Sequence, residues 1–154
     1  MKTLDEIIGF IGAGNMATAL ISGLINNGHE ASKIISSSPE QEHLEKLSGD
    51  FGVLTSKNNK KVCEDSNVII LAVKPNIIET VLSEIKENVD QKDKLVISIA
   101  AGVKIENIES IIGSSTKIIR AMPNTPASIM EGVTALSVNE RVEETDIEKA
   151  KILF

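Results

Sequence analysis

The sequence contains no tryptophan and no tyrosine, and only three of its 154 residues are phenylalanine. A hydrophobic core built from this chain must therefore be aliphatic. The isoleucine- and valine-rich runs suit the strands of a parallel sheet that is covered on both faces. Hydrophobic residues make up 42% of the chain and charged residues 25%, so a globular domain with a sizeable core is expected.

Residues that bind metals or act as nucleophiles are also scarce. The single cysteine, Cys63, excludes a disulfide framework and a four-cysteine zinc site. The two histidines, His29 and His43, are scattered and form no metal-ligand pattern, so no metal is predicted. No Ser-His-Asp set or pair of carboxylates at strand ends is apparent, and we predict no catalytic residue in this chain.

Clusters of positive charge and long apolar segments are missing as well. The formal net charge is -6 and the longest basic run is Lys60-Lys61, which argues against nucleic acid as a partner. No segment approaches the ~20 apolar residues of a membrane span. Asp5 and Glu6 precede the first apolar run, where a signal peptide would carry basic residues. These observations predict a cytoplasmic protein with no membrane partner.

Short apolar runs alternate along the chain with segments of helical periodicity. This alternation predicts an α/β fold, namely a Rossmann-like, doubly wound, mostly parallel sheet with helices on both faces. The predicted strands are residues 7–11, 33–36, 53–55, 68–73, 95–99 and 117–122, with a further edge strand at 133–138. The predicted helices are residues 15–27, 39–47, 77–88, 105–112 and 143–154, with a weak helix or turn at 59–64.

The first predicted strand leads directly into a glycine-rich turn. Gly12, Gly14 and Ala17 stand at the spacing G-x-G-x-x-G/A, with a strand before them and a helix after them. Glycines at this spacing let backbone amides approach a pyrophosphate at the N-terminus of the helix. Glycine can also simply end a strand in a tight turn, but the strand–turn–helix context favours a bound dinucleotide.

The end of the second predicted strand bears on which dinucleotide is bound. An NAD site usually has an acidic residue about 20 residues after the glycine loop. Here that region is residues 36–38, all serine, and the next acid is Glu40. Hydroxyl groups and a helix N-terminus can accept a 2′-phosphate that a carboxylate would repel. We therefore predict a preference for NADP(H) and leave NAD(H) open.

The same serines have an alternative role. No arginine completes a phosphate site here, although Lys57 is available. The serines could instead only cap a helix that begins at Pro39, with Ser38 as its N-cap.

Three later strand ends carry small or rigid residues, at positions 72–75, 100–102 and 122–126. In open α/β sheets, ligands bind at the carboxyl ends of the strands. Small residues allow the backbone to approach a ligand, and proline fixes the loop. Taken alone, Lys74 could be an ordinary surface lysine, and Asn124 could form an Asx-turn instead of contacting a ligand.

Together these segments resemble the N-terminal domain of the pyrroline-5-carboxylate reductase family. The matching stretches are residues 9–17, 72–75, 98–103 and 119–127, in the same order over nearly the whole chain. The first stretch is shared with many dehydrogenases, whereas the last is much more specific. The resemblance implies an oxidoreductase of proline biosynthesis that uses NAD(P)H to reduce the C=N bond of 1-pyrroline-5-carboxylate, giving L-proline.

The resemblance also implies a set of cofactor contacts. Residues 12–16 would hold the pyrophosphate, Ser38 would lie at the adenosine ribose or its phosphate, and Asn58 near the adenine ribose. Asn124 would lie where the nicotinamide meets the substrate. The full set of predicted cofactor-binding residues is Ile11, Gly12, Ala13, Gly14, Asn15, Met16, Ser37, Ser38, Asn58, Ala72, Val73, Lys74, Pro75 and Ala101.

Members of the family have a second, helical domain that forms a homo-oligomer and supplies most substrate contacts. We expect residues 1–154 to be the NAD(P)-binding domain, complete by about residue 126–140, with the remainder leading to a helical domain that this chain lacks. The apolar end at residues 151–154 supports this expectation. Such a chain would bind the cofactor but lack full catalysis. Two alternatives stay open: a regulatory module that senses NADP(H), and the domain of a related imine or β-hydroxyacid dehydrogenase.

Overall fold

A computed structural model describes residues 4–89, 94–123 and 134–154. Strands and helices alternate through most of these residues, as the sequence predicts. The strands are β1 (Ile8–Ile11), β2 (Ile34–Ser37), β3 (Leu54–Ser56), β4 (Val68–Leu71), β5 (Leu95–Ser98), β6 (Lys117–Pro123) and β7 (Thr134–Val138). The α-helices are α1 (Asn15–Asn26), α2 (Gln41–Phe51), α3 (Asn59–Asp65), α4 (Pro75–Val89), α5 (Ile105–Ile112) and α6 (Glu144–Leu153), and a short 3-10 helix spans Ala31–Lys33.

The strands form one sheet in the order β3-β2-β1-β4-β5-β6-β7. The first six strands of the chain pair in parallel, and β7 pairs with β6 in the antiparallel direction. The predicted Rossmann-like fold class is confirmed. From β1 the chain moves outward to β2 and β3, and then returns to β4 on the other side of β1. The strand order therefore reverses between β1 and β4, where this class of fold binds ligands.

Alternate strand residues face two separate apolar layers. One layer includes Phe10 and Ile70 and is covered by α1, α2 and α6. The other includes Leu71 and Val96 and is covered by α3, α4 and α5. Because both faces of the central strands are covered, β1, β4 and β5 are buried at every position.

The C-terminus of α1 is fixed by a glycine. Gly28 has a positive φ of 96°. Its N–H donates to the carbonyl of Ile25, and the N–H of His29 donates to the carbonyl of Leu24. This is a Schellman motif, and it satisfies carbonyls that would otherwise lack partners at the helix end.

The predicted start of α2 is wrong by two residues. The helix begins at Gln41, and its N-cap is Glu40 instead of Ser38. The reason is local: Ser38 Oγ accepts a hydrogen bond from the Glu40 N–H at 3.1 Å, and the Ser38 N–H donates to the Ser56 carbonyl at 3.3 Å. Ser38 therefore continues the β2–β3 pairing and forms a turn around Pro39 before the helix starts.

The antiparallel direction of β7 determines where α6 lies. The helix begins beside the start of β6, where Lys117 Nζ lies 3.3 Å from Asp146 Oδ2. It ends at Leu153, and Phe154 then lines a small cavity together with Leu136, the residue that pairs with Ala121 late in β6. The helix thus runs toward the edge of the sheet where β6 ends. Among the described residues, no helix has the length and apolar character needed to cross a membrane.

Candidate functional site at the carboxyl edge of the sheet

Most of the predicted cofactor residues lie at one edge of the sheet. The parallel strands β1, β2, β4 and β5 all end at this edge, and the loops that follow them carry the predicted residues. Ile11 and Ser37 are paired at the last register position of β1 and β2, and Ile11 is also paired with Leu71 of β4. The structure therefore brings together loops that are up to 90 residues apart in the sequence.

Gly12 stands where the chain leaves β1, and no larger residue fits there. Its φ is 115°, and a Cβ at this position would lie 2.5 Å from the carbonyl oxygen of Ala72. The Ala72 N–H donates to the Ile11 carbonyl at 2.9 Å, so the loop after β4 is held directly against the glycine turn. The first glycine of the motif is therefore required by a positive φ and a close backbone approach together.

Gly14, Asn15 and Met16 form the beginning of α1, and they leave its N-terminus open. Gly14 is the N-cap and supplies no side chain to accept hydrogen bonds from the first turn, which also contains no acidic residue. A Cβ at Gly14 would have no atom within 4 Å, so this position faces open space. Free amides and the positive end of the helix dipole together suit a bound anion such as a pyrophosphate.

The three serines at the end of β2 are buried, and their hydroxyls are engaged within the protein. Ser36 Oγ donates to the carbonyl of Gly12 at 2.7 Å. Ser37 Oγ donates to Asn59 Oδ1 at 2.6 Å and is also directed at the Phe10 carbonyl at 3.4 Å. Ser38 Oγ accepts from the Glu40 N–H, as described above. The contacts predicted for Ser37 and Ser38 with a cofactor stay predictions.

Two neighbouring asparagines on the loop after β3 have different roles. Asn58, the predicted residue, is the N-cap of α3, and its Oδ1 accepts from the N–H groups of Lys60 and Lys61. Asn59 instead contacts Ser37 at the carboxyl edge. Because Asn59 Oδ1 accepts from Ser37, its amide nitrogen points away from this bond and is available to donate to a ligand. The sequence does not point to Asn59, because two adjacent asparagines give no signal to choose between them.

The loop after β4 lies beside the glycine turn, and the loop after β5 lies next along the same edge. Lys74 and Pro75 are exposed, and α4 begins at Pro75. Ala101 is exposed and is followed by Gly102, whose φ is 74°. Asn124, predicted to lie near the substrate, falls outside the described residues. The ionisable side chains in these loops are two lysines, Lys74 and Lys104, so the loops suit binding and orientation more than proton transfer.

Cys63 is a residue of α3, and its side chain is fully buried in the apolar layer that α3, α4 and α5 cover. Burial raises the pKa of its thiol to about 12. A thiol that stays protonated at neutral pH is a poor nucleophile. Within residues 4–89, 94–123 and 134–154, no group of three or more His, Cys, Asp or Glu side chains could hold a metal ion.

Comparisons with known proteins agree with this geometry. Residues 7–102 match a family model described as NADP oxidoreductase, coenzyme F420-dependent. The pyrroline-5-carboxylate reductase of Escherichia coli is 40% identical over 144 residues, which are 93% of this chain and 53% of that protein. A structure of a pyrroline-5-carboxylate reductase from Coxiella burnetii superposes with a TM-score of 0.93 at 37% identity, over 97% of this chain and 56% of that one.

A third match is the crystal structure of Plasmodium falciparum pyrroline carboxylate reductase with NADP bound. It has a TM-score of 0.86 and 29% identity, and the match covers 99% of this chain and 55% of that one. This chain thus spans about half the length of the relatives it matches. The resemblance inferred from the sequence is confirmed, and so is NADP as the cofactor named for the family. The chain belongs to the family of NADP oxidoreductases described as coenzyme F420-dependent.

Proposed function

We propose that this chain binds NADP(H) across the carboxyl edge of its sheet, as the cofactor-binding part of an enzyme that reduces 1-pyrroline-5-carboxylate to L-proline. The observation that carries the proposal is the meeting of four loops at this edge, in a chain 40% identical to a pyrroline-5-carboxylate reductase. Nicotinamide cofactors carry out hydride transfer themselves, so the protein has mainly to bind and orient the reactants.

The glycine turn would bind the pyrophosphate. The N-terminus of α1 has no side-chain cap and no acid in its first turn, and the space around Gly14 is open. An anion placed there would accept hydrogen bonds from backbone amides and would interact favourably with the helix dipole. In this role the predicted residues act through their backbone, and their side chains matter mainly through their size. These residues are Gly12, Ala13, Gly14, Asn15 and Met16.

The adenosine end would lie beside β2 and β3. No acidic side chain stands at the end of β2, where one would repel a 2′-phosphate. The amide nitrogen of Asn59 can donate to the ribose or its phosphate, and the exposed Lys57 lies two residues before it. We propose Asn59 for this contact, held in place by Ser37, while Asn58 shapes the loop by capping α3.

The nicotinamide end would lie against the loops after β4 and β5. Ala72 and Val73 are partly exposed, whereas Lys74, Pro75 and Ala101 are exposed, so the backbone of these loops is accessible to a ring. Asn124 is proposed to lie between nicotinamide and substrate. Contacts to the substrate, and the surface that forms a homo-oligomer, are proposed to come from a helical domain in the other half of the whole enzyme.

Fluorescence titration with NADPH and with NADH tests this proposal, because bound reduced nicotinamide changes its emission. We expect tighter binding of NADPH. Asn59→Asp retains the acceptor for Ser37 and adds a negative charge, so it should lower the affinity for NADPH by about tenfold, or about 1.4 kcal/mol, with a smaller effect on NADH. Asn58→Asp is the matched control, because it keeps the helix cap and adds the same charge one residue away.

The outcomes separate the parts of the proposal. If the unmodified chain binds neither nucleotide at millimolar concentration, the proposed cofactor function is wrong. If Asn58→Asp weakens NADPH binding and Asn59→Asp does not, Asn58 is the residue that contacts the ribose or its phosphate.

A further inference from the structure

The end of β2 holds both polar groups of the Gly12 backbone. Ser36 is completely buried, and its hydroxyl donates to the Gly12 carbonyl at 2.7 Å. The Gly12 N–H donates to the carbonyl of Ser37 at 2.8 Å. The glycine turn lies beyond the last paired residue of β1, so the Ser36 hydroxyl supplies a partner that the strand ladder does not.

The bond from Ser36 determines which way the next peptide group faces. In a planar trans peptide, the C=O of one residue and the N–H of the following residue point in opposite directions. Because the Gly12 carbonyl is directed at Ser36, the Ala13 N–H is directed away from β2. Among the described residues, no group accepts a hydrogen bond from the Ala13 N–H. It is therefore free to donate to a ligand.

The opposite orientation of this peptide would be harmful to anion binding. A flipped Gly12–Ala13 peptide would turn its carbonyl oxygen, which carries a partial negative charge, toward the side that now presents the N–H. Gly12 has no Cβ to resist such a flip, since glycine populates both signs of φ readily. The turn that admits the cofactor thus needs a separate constraint to keep its donor facing outward.

We propose that Ser36 is a positioning residue, whose hydroxyl fixes the Gly12–Ala13 peptide so that the Ala13 N–H donates to the cofactor pyrophosphate. This inference rests on the proposed binding of NADP(H). It assigns to Ser36 a role different from the adenosine-end role of its neighbours Ser37 and Ser38. Ser36 does not touch the cofactor and acts through the backbone of Gly12.

The test compares Ser36→Ala with Ser66→Ala. Ser66 is an equally buried serine, and its hydroxyl donates to the Val62 carbonyl at 2.5 Å, just before β4 and far from the carboxyl edge. Each substitution removes one buried hydroxyl from one backbone carbonyl, so both should lower thermal stability similarly. Only Ser36→Ala should raise the Kd for NADPH, by about tenfold, as expected when a charge-assisted hydrogen bond is weakened.

A ligand without a pyrophosphate gives a second, selective measurement. Adenosine 2′-monophosphate should bind equally well to the unmodified chain and to Ser36→Ala, because it does not reach the glycine turn. NADPH should also shift the NMR amide resonance of Ala13 in the unmodified chain, whereas adenosine 2′-monophosphate should leave it in place. This measurement needs no variant and therefore applies even if Ser36→Ala does not fold.

The inference is overturned if Ser36→Ala binds NADPH within about twofold of the unmodified chain, if Ser66→Ala weakens binding as much, or if the Ala13 amide does not respond to NADPH. Failure of the unmodified chain to bind NADPH at all would instead reject the proposed function. The two failures are therefore distinguishable.

Discussion

At the scale of single residues, Gly12 and Gly14 lie in the same turn but are constrained by different surroundings. Gly12 is pressed against the backbone of Ala72, whereas the space beside Gly14 is empty. A side chain at Gly12 would disturb the protein itself, and a side chain at Gly14 would only occupy space where a ligand could lie. The motif thus combines a folding requirement with a binding requirement.

We predict that Gly12→Ala and Gly14→Ala separate these two requirements. Gly12→Ala should lower the free energy of unfolding by about 1–3 kcal/mol, because it combines a positive φ with a backbone clash. Gly14→Ala should stay within about 1 kcal/mol of the unmodified chain, since its φ of -81° suits any residue. Denaturant unfolding measures both values, and equal losses would contradict the distinction.

Cys63 gives a prediction for alkaline pH. Burial raises the pKa of its thiol from the ordinary value of 9.0 to about 12. Between these values the unfolded chain loses the thiol proton while the folded chain keeps it, so ionisation favours the unfolded state. Stability should therefore fall by about 1.4 kcal/mol per pH unit from this group, starting near pH 9.

The matched comparison is Cys63→Val, which keeps an apolar side chain of similar size but has no thiol. Urea unfolding from pH 8 to pH 11 should show a steeper loss of stability for the unmodified chain than for this variant. Identical slopes would show that the thiol does not resist ionisation in the folded protein.

The choice between Asn58 and Asn59 shows what a sequence cannot resolve at this scale. Both residues stand in a polar loop after a short strand, and either could face a ribose. Their roles depend on where α3 begins, because the N-cap side chain turns back toward its own helix. That start is Asn59, and so Asn58 is used as the cap while Asn59 is left to contact Ser37.

At the scale of secondary-structure elements, α1 combines a buried apolar face with an N-terminus that has no capping side chain. Among the other described helices, α6 begins with a reciprocal capping box of Glu143 and Asp146. Helices α2 and α5 also lack a capping side chain, but each carries an acid in its first turn, which α1 does not. Leaving α1 uncapped costs some stability but preserves donors for an anion. The helix therefore gains stability mainly from packing Ala17, Leu20, Ile21 and Leu24 into the core.

We predict that a carboxylate placed at the N-terminus of α1 raises the stability of the chain and weakens cofactor binding. Asn15→Asp should stabilise the chain by about 0.5 kcal/mol through the helix dipole. It should also weaken NADPH binding, because the new charge repels the pyrophosphate. Asn107→Asp adds the same charge to the first turn of α5 and should leave the NADPH Kd nearly unchanged. If the two variants weaken binding equally, general charge repulsion explains the effect and the α1 site is not supported.

The order of strands and helices could be predicted because apolar runs and helical periodicity alternate clearly. The helix over residues 105–112 was predicted with its observed bounds, since Gly102 and Gly113 border it. The start of α2 could not be predicted, because Ser38 is a good N-cap by type but is engaged in a turn. The antiparallel direction of β7 could not be predicted either, because an apolar pattern indicates that a strand exists but not which way it runs.

At the scale of the whole molecule, the binding edge is assembled from strands that are distant in sequence. The reversal of strand order between β1 and β4 opens the crevice, and the paired backbone of Ile11, Gly12, Ser37 and Ala72 holds its centre together. The family and the fold could both be predicted because the motifs that form this edge are visible in the sequence. Substrate contacts do not follow from it, because the loops after β4 and β5 offer only two ionisable side chains, those of Lys74 and Lys104.

We predict that the chain by itself binds NADPH but does not oxidise it measurably with 1-pyrroline-5-carboxylate. Hydride transfer requires the substrate to be held against the nicotinamide in a reactive geometry. The absorbance of NADPH at its nicotinamide band reports turnover, and the E. coli relative serves as the positive control. A rate comparable with that of the control would show that no second domain is needed.

The direction of α6 has a practical consequence for optical measurements. Because β7 reverses the chain, α6 returns toward the carboxyl edge, and Phe154 lies beside Leu136 near the end of β6. An acceptor dye attached after Phe154 would therefore stand on the cofactor side of the sheet, within range for energy transfer from NADPH. Because the chain has no tryptophan or tyrosine, the energy transferred to the dye would come from the bound nicotinamide alone.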